Sequence, residues 1–381
     1  MASNGTVALM TGTVMHPAAS ADDDRIELIV LFGGESAEHD VSCTTASHVL
    51  AAADPSRYRI TPVGISTDGR WAVSRSAADA LAAGPGELPG RLDPTGDEIT
   101  PTALLAAASD RSSTTVVMPL LHGPMGEDGT VQGLIELANL PYVGAGVLAS
   151  AVAMDKAMAK QVLAAAGIPQ AAHRSFAEHE RTPELAGELA DDLGLPLFVK
   201  PANMGSSVGV SKATTVDEVR AAIDLALTYD EWVVVEEAIV GKEIEVAVLG
   251  NLDPHAATPG EIVPGDEFYS YDDKYVSDRS FAVIPAPIGE AALAEARELA
   301  IRTYRALRCE GLSRVDFFWE DPVAGGRGFL CNEVNTMPGF TPISMFPKMW
   351  IADGVSYPEI IDRLVDLSIE RHGRRRRNTA H

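Results

Sequence analysis

The chain holds little sulfur and little positive charge. Its three cysteines, Cys43, Cys309 and Cys331, are odd in number and share no metal-like spacing. That excludes a disulfide framework and a thiolate metal knuckle, and it points to a reducing cytoplasm. Basic side chains number 30 against 54 acidic ones, a formal net charge of −24. A chain this acidic repels nucleic acid and anionic membrane, so neither is expected as a partner. No apolar run reaches the roughly 18 residues that a membrane helix needs, and no unit repeats along the chain. Residues 1–25 lack a basic start and a sustained apolar segment, and read as a disordered leader rather than a signal peptide. The G-x-G-x-x-G fingerprint is missing too: LFGGESAEHD has the wrong spacing, which disfavours a Rossmann dehydrogenase. One basic stretch, RHGRRRRNTAH over 371–381, reads as a solvated, disordered tail.

What is present is an ordinary globular composition, 46% apolar and 22% charged, over a length of 381 residues that suits two or three domains. From Ile26, strand-like and helical stretches alternate. IELIVLFGG, YRITPVGIS and TTVVMPLLHG read as strands, and AEHDVSCTTASHVLAAA and GTVQGLIELANL as helices. Residues 84–101, rich in Gly, Pro and acids, read as a loop. Alternation of this kind predicts an open, mostly parallel sheet covered by helices, with ligands at the C-terminal ends of the strands. Two loops fall there, Gly33 to Asp40 and His122 to Gly129. After Gly146 the texture changes. MDKAMAKQVLAAAG is a helix closed by Gly167, followed by strand-like and helical segments and the strand WVVVEEAI. From Gly241 a β-rich block follows, interrupted by GEAALAEARELAIRTYRAL and closed by the amphipathic helix SYPEIIDRLVDLSIERHG. The boundaries fall near 146 and 240.

Two constellations could carry chemistry. In FVKPANMGSSVGVSKA, Lys200 ends an apolar run before a glycine-serine turn and no helix follows, the reverse of a P-loop. Such a turn between strands can cradle an anion with its N–H groups and hydroxyls; taken alone, the stretch reads as a surface hairpin with a snorkelling lysine. The second constellation shifts that balance. Arg314 and Asp316 alternate within SRVDFFWED, and Glu333 and Asn335 within LCNEVNTMPGFTPIS, so each pair shares a strand face. Two adjacent strands of this kind would converge three oxygen ligands and one guanidinium, a set that suits Mg²⁺ with substrate phosphates and a cation facing developing charge. Glu236, Glu237, Glu243 and Glu245 cluster around a strand link, where they read either as an adenine- and ribose-binding hinge or as a solvated acidic edge. Glu38 either favours a helix dipole or binds ligand, and His122 is either ligand-facing or structural.

Together these stretches closely resemble the D-alanine–D-alanine ligases of the ATP-grasp superfamily, from Ile26 to about Leu367. The markers are LFGGESAEHDVS, LHGPMGEDGTVQG, MDKAMAK, FVKPANMGSSVGV, YDDKY, SRVDFF and NEVNTMPGFTPIS. The resemblance implies an α/β ATP-grasp fold. An N-terminal open parallel α/β domain would span 26–145, a central lid domain 146–240, and a C-terminal mixed-sheet domain 241–370, with a basic tail over 371–381. It implies ATP-dependent ligation of two D-alanines through an acyl phosphate, for peptidoglycan precursors, by a cytoplasmic homodimer using two Mg²⁺ or Mn²⁺ ions. Site roles follow by likeness. Lys156, Lys200 and Ser207 would contact ATP phosphates, with Glu236, Glu237 and Glu243 near adenine and ribose. Asp316, Glu333 and Asn335 would hold metal, and Arg314 with the Gly339 N–H would steady the oxyanion. Glu38 would take the first ammonium, linked through Ser206 to Tyr275, with His122 beside it. Ser344 would receive the second carboxylate near Lys274. A D-alanine–D-lactate ligase, another ATP-grasp amino-acid ligase and a non-catalytic nucleotide-binding regulator are the alternatives. The tyrosine loop YDDKY, absent from ligases that prefer D-lactate, argues for an amine nucleophile, and the four residues Arg314, Asp316, Glu333 and Asn335 argue against the regulator.

Overall fold

The computed structural model describes residues 24–109, 113–263 and 281–375. Its strands form three sheets. The first holds β1 (Ile26–Gly33), β2 (Tyr58–Ile65), β3 (Trp71–Val73), β4 (Asp97–Glu98) and β5 (Thr115–Pro119), in the order β4-β3-β2-β1-β5. β1 runs parallel to β2 and β5, while β3 and β4 are short antiparallel additions at one edge. The apolar run of β1 is explained by cover on both sides. Leu28, Val30 and Phe32 face one core, and Ile29 and Leu31 face another shared with Leu104, Leu105 and Ile135. The helices are α1 (His39–Ala52), α2 (Arg75–Ala83), α3 (Pro101–Ser109) and α4 (Thr130–Leu137). The stretch 84–101 is not all loop: Asp97–Glu98 pairs with β3, and α3 starts at Pro101, a residue whose fixed φ suits a first helical turn.

A second region begins with α5 (Val147–Met154) and α6 (Lys156–Ala165). It carries β6 (His173–Ala177), α7 (Leu185–Leu193), β7 (Leu197–Pro201), β8 (Ser211–Ala213), α8 (Val216–Ala226) and β9 (Trp232–Glu237). The sheet order is β6-β9-β7-β8, all antiparallel. The run 208–211 joins β8 only at Ser211, because Val208 and Val210 close turns onto Gly205 and Ser207.

The third sheet holds β10 (Lys242–Gly250), β11 (His255–Ala256), β12 (Gly260–Val263), β13 (Phe281–Val283), β14 (Gly311–Glu320) and β15 (Gly328–Asn335), ordered β13-β12-β10-β14-β15 with β11 on β10. Its pairings are antiparallel, and one parallel bridge, Gln170 to Cys331, adds the mixed character. The helices of this region are α9 (Glu290–Ala306), α10 (Met345–Ala352) and α11 (Tyr357–Arg375). Ile360, Ile361, Leu364 and Val365 of α11 join Val30 of β1 and Leu249 of β10 in one core. The first and third sheets are thereby held as one block, which fixes the cleft between them.

The basic segment at the C-terminus is not a solvated tail as far as Arg375. α11 continues through it, and Arg371 is only 3% exposed. Its guanidinium donates to the carbonyls of Gly144 and Tyr142 and lies 4.3 Å from the Tyr142 ring centroid. Arg374 pairs with Glu310, and Arg375 reaches Glu310 at 2.7 Å and Glu136 at 3.5 Å. Composition suggested disorder; acceptors on neighbouring segments, far off in sequence, override it. The leader to residue 23 and residues 376–381 lie outside the described residues, as do Lys274 and Tyr275 of the YDDKY loop. Among the described residues no helix is long and apolar enough to cross a membrane. The three cysteines are free and buried, and burial pushes their thiols up to between about 11 and about 12.

Candidate active site

A cleft of about 940 Å³ opens where the three regions meet. Its walls carry Glu38, His122, Lys156, Ser206, Arg314, Glu333, Asn335, Gly339 and Ser344, residues that lie as much as 306 positions apart. Lys200, Ser207, Glu236, Glu237, Glu243 and Asp316 are not on that wall; Lys200, Glu236 and Asp316 sit behind it as partners of other charges.

The β14–β15 ladder builds the charged wall. Arg314 pairs with Asn335 and Asp316 with Glu333, so the two alternating pairs stand side by side on adjacent strands, as their spacing predicts. The register slips just beyond: Phe317 pairs with Cys331, and Asn332 is skipped. Such a bulge re-aims side chains beside a site, and Asn332 uses it to accept a hydrogen bond from Lys200 at 3.1 Å. Arg314 grips Asp316 with two bonds of 2.8 and 2.7 Å and meets Glu245 of β10 at 3.0 Å. Burial opposes its charge, yet Asp316 and Glu245 hold the guanidinium well above its ordinary value. Glu245 is therefore neither hinge acid nor solvated edge; it anchors the arginine. Asn335 donates to Asp316 at 2.9 Å and to Glu333 at 3.4 Å.

The opposite wall comes from loops. Ser206 and Ser207 both adopt positive φ, 49° and 59°, a left-handed conformation that costs about 1–3 kcal/mol per residue and collects at ligand clamps. At Gly205 a Cβ would come within 3.1 Å of Glu38 Oε2, so a side chain there would press on the Glu38 carboxylate as the loop meets the first region. Glu38 is the N-cap position of α1, where its N–H binds Ser36 Oγ at 3.2 Å. Lys156 opens α6 and donates to the Met204 carbonyl at 2.5 Å, tying helix to loop. Burial pushes its ammonium below the usual lysine range, with Glu333 opposing. His122 shares Nδ1 with the Met337 carbonyl at 3.0 Å. A carbonyl can only accept, so Nδ1 carries the hydrogen, and in the neutral ring Nε2 is an acceptor; Nε2 is buried and finds no hydrogen-bond partner among the described residues. At the far end, Ser344 is the N-cap of α10 and its Oγ accepts from the Thr341 N–H at 3.1 Å, leaving the helix N-terminus facing the cleft.

Several participants escaped the sequence. Glu127, in the quoted loop HGPMGEDG, accepts from Gly123 N–H at 2.7 Å and Met337 N–H at 3.4 Å, so it fastens the His122 loop to the Gly339 loop. Burial and the nearby Glu38 push its carboxyl up to about 8. Lys160 lies one helical turn beyond Lys156, on the same face, and that i,i+4 spacing was the signal available. Glu236 and Lys200, foreseen as separate contacts, pair with each other at 2.9 Å. Glu237 accepts from Ala172 N–H and Arg327, both at 2.7 Å.

An antiparallel lid sheet and a second antiparallel sheet that close lysines and carboxylates over one cleft define an ATP-grasp fold. Two family models cover most of the chain: D-ala D-ala ligase N-terminus over residues 27–145 and D-ala D-ala ligase C-terminus over 162–366. The chain belongs to the D-alanine–D-alanine ligase family. It is 45% identical over 359 residues to the D-alanine--D-alanine ligase of Shouchella clausii, covering 91% of this chain and 95% of that one. It is also 45% identical to that of Mycolicibacterium vanbaalenii, covering 91% and 98%. Among solved structures, the D-alanine-D-alanine ligase from Coxiella burnetii superposes with a TM-score of 0.75 at 35% identity, over 92% of this chain and 97% of that one. The VanG D-Ala:D-Ser ligase of Enterococcus faecalis gives 0.76 at 35%, over 90% and 99%.

Proposed function

We propose that this chain joins two D-alanines at the expense of ATP, through an acyl phosphate, to supply a peptidoglycan precursor. The observation that carries the reading is the in-register pairing of Arg314 with Asn335 and Asp316 with Glu333, which sets Arg314, Glu333 and Asn335 in one cleft with Lys156, Gly205 and Ser206. A carboxylate is a poor electrophile because its charge is delocalised. Transfer of the γ-phosphoryl group to one carboxylate oxygen gives the carbon a leaving group and releases ADP. The second amine, having lost a proton, attacks that carbon; the C–O bond to phosphate then breaks and phosphate departs. Phosphoryl transfer needs alignment and charge neutralisation more than covalent help.

In this reading Lys156, Lys200 and the N–H groups around Ser206 and Ser207 hold the phosphates. Glu38 and the acceptor Nε2 of His122 take the first ammonium. Arg314 and the Gly339 N–H face the oxyanion, and Ser344, at the start of α10, takes the second carboxylate. Glu237 and Glu243 flank the approach to adenine and ribose, whereas Glu236, expected there with them, is buried between Lys160 and Lys200 and reaches the nucleotide only through Lys200. Among the described residues no cluster of three or more His, Cys, Asp or Glu stands ready to hold a metal. The donors here are two carboxylates, Asp316 and Glu333, with the Asn335 amide, a set that fits Mg²⁺ or Mn²⁺ when phosphate oxygens complete the shell. Two such ions would neutralise charge on the transferring group. We further assign residues 26–145, 146–240 and 241–370 as substrate, lid and metal-site domains. Three unpaired, buried thiols support a cytoplasmic setting, and the exposed Leu137 and Leu148 on α4 and α5 offer apolar surface for a homodimer.

The second substrate is tested by competition. With ATP, Mg²⁺ and equal D-alanine, D-serine and D-lactate at pH 7, the expected product is mainly D-alanyl-D-alanine. Mainly depsipeptide would overturn the amine assignment, and mainly D-alanyl-D-serine would place the second site with that of the Enterococcus D-Ala:D-Ser ligase.

A further inference from the structure

Behind the phosphate-facing wall lies a cluster of three charges, Lys160, Glu236 and Lys200, in which the reading above gives Lys160 no role. Glu236, at the end of β9, is buried with its side chain 3% exposed, and each of its oxygens meets a different ammonium. Oε1 lies 3.0 Å from Lys160 Nζ and Oε2 lies 2.9 Å from Lys200 Nζ. Lys160 is 2% exposed, and Lys200, at 12%, is the one member of the three with a path outward. Asn332, set free by the β15 bulge, takes a second Lys200 N–H at 3.1 Å. Burial opposes the carboxylate, but the two lysines hold it ionised, down to about 2.

Charge arithmetic gives the arrangement a purpose. One carboxylate between two ammonium groups leaves a surplus of one positive charge. In a dry interior that surplus is poorly screened, and it emerges at Lys200. Without Lys160, Glu236 would cancel Lys200 outright and draw it back from the cleft. We propose that Lys160 is a positioning residue for the nucleotide phosphates: it satisfies Glu236 from behind, so that Lys200 stays oriented by Glu236 and Asn332 yet keeps its charge for the ligand. This rests on the assignment of Lys200 to ATP phosphate, so the test carries a separate arm for that assignment.

Three variants are compared with wild type: Lys160→Met, the pair Lys160→Met with Glu236→Gln, and Lys200→Met. KM for ATP, KM for D-alanine, kcat, the inhibition constant of inorganic tripolyphosphate and Tm are measured for each. Lys160→Met is expected to raise KM for ATP about tenfold, with a parallel rise for tripolyphosphate, while KM for D-alanine moves less than about twofold, the pattern of lost phosphate binding. The pair variant removes both buried charges, which leaves no orphaned ion, and restores net charge at Lys200. Its tripolyphosphate constant is expected within about threefold of wild type, a recovery that a merely structural lysine would not produce. Should Lys160→Met fail to fold, the pair variant decides alone: a tripolyphosphate constant about tenfold worse than wild type overturns the proposal. The proposal also falls if Lys160→Met leaves KM for ATP unchanged while Lys200→Met raises it. If Lys200→Met changes neither constant, the phosphate assignment of Lys200 is what fails, and the role of Lys160 falls with it.

Discussion

Glu333→Gln is expected to lower kcat by about two orders of magnitude or more, the scale of one lost transition-state electrostatic contact. Glutamine keeps the shape on β15 and a partner for Asn335, so the ladder to β14 should survive. What goes is a negative charge felt on both sides of the cleft, since Glu333 supports the charged forms of Lys156 and Arg314. It also removes one of the two carboxylates paired in register, which we propose as metal donors. The check is a steady-state series over magnesium concentration, with Tm recorded. Near-normal turnover at saturating magnesium would contradict the assignment; a loss that excess metal cannot restore supports it.

Arg314→Lys tests the other half of the wall and is expected to cost about a hundredfold or more in kcat, with KM for ATP little changed. Lysine keeps the charge. It cannot make the two-bond grip on Asp316 while also touching Glu245, because an ammonium is a point charge and a guanidinium is a planar fork. Glu245 and Asp316 are direct neighbours across β10 and β14, so a single ammonium must divide itself between them and loses its fixed aim at the cleft. A kcat within about threefold of wild type would show that charge alone suffices and that the fork does not matter.

The charged wall was legible because a strand's period of two is strict: Arg314 with Asp316, and Glu333 with Asn335, had to share faces. The first sheet was legible for a similar reason, since the unbroken apolar run of β1 fits only a strand covered on both sides. Long-range partners were not. Nothing near Glu236 in the sequence reveals that Lys160 and Lys200 share it, because that pairing depends on how α6 crosses β9 and β7. Glu245 stood among acids that read as a hinge, and only the β10–β14 register gives it to Arg314. The bulge that frees Asn332 leaves no local mark at all. The C-terminal arginines misled for the same reason: composition predicts solvation, while the carbonyls of Tyr142 and Gly144, more than 220 positions away, bury Arg371.

The central claim is that ATP activates a D-alanine carboxylate by phosphorylation, and one isotope measurement tests it directly. D-Alanine labelled with ¹⁸O in its carboxylate is incubated with ATP, Mg²⁺ and the enzyme, and the products are separated and weighed by mass spectrometry. Breaking the C–O bond of an acyl phosphate leaves one carboxylate oxygen on phosphorus. The expected products are ADP, D-alanyl-D-alanine and inorganic phosphate carrying one ¹⁸O per peptide formed. Unlabelled phosphate, or AMP with pyrophosphate, would contradict it.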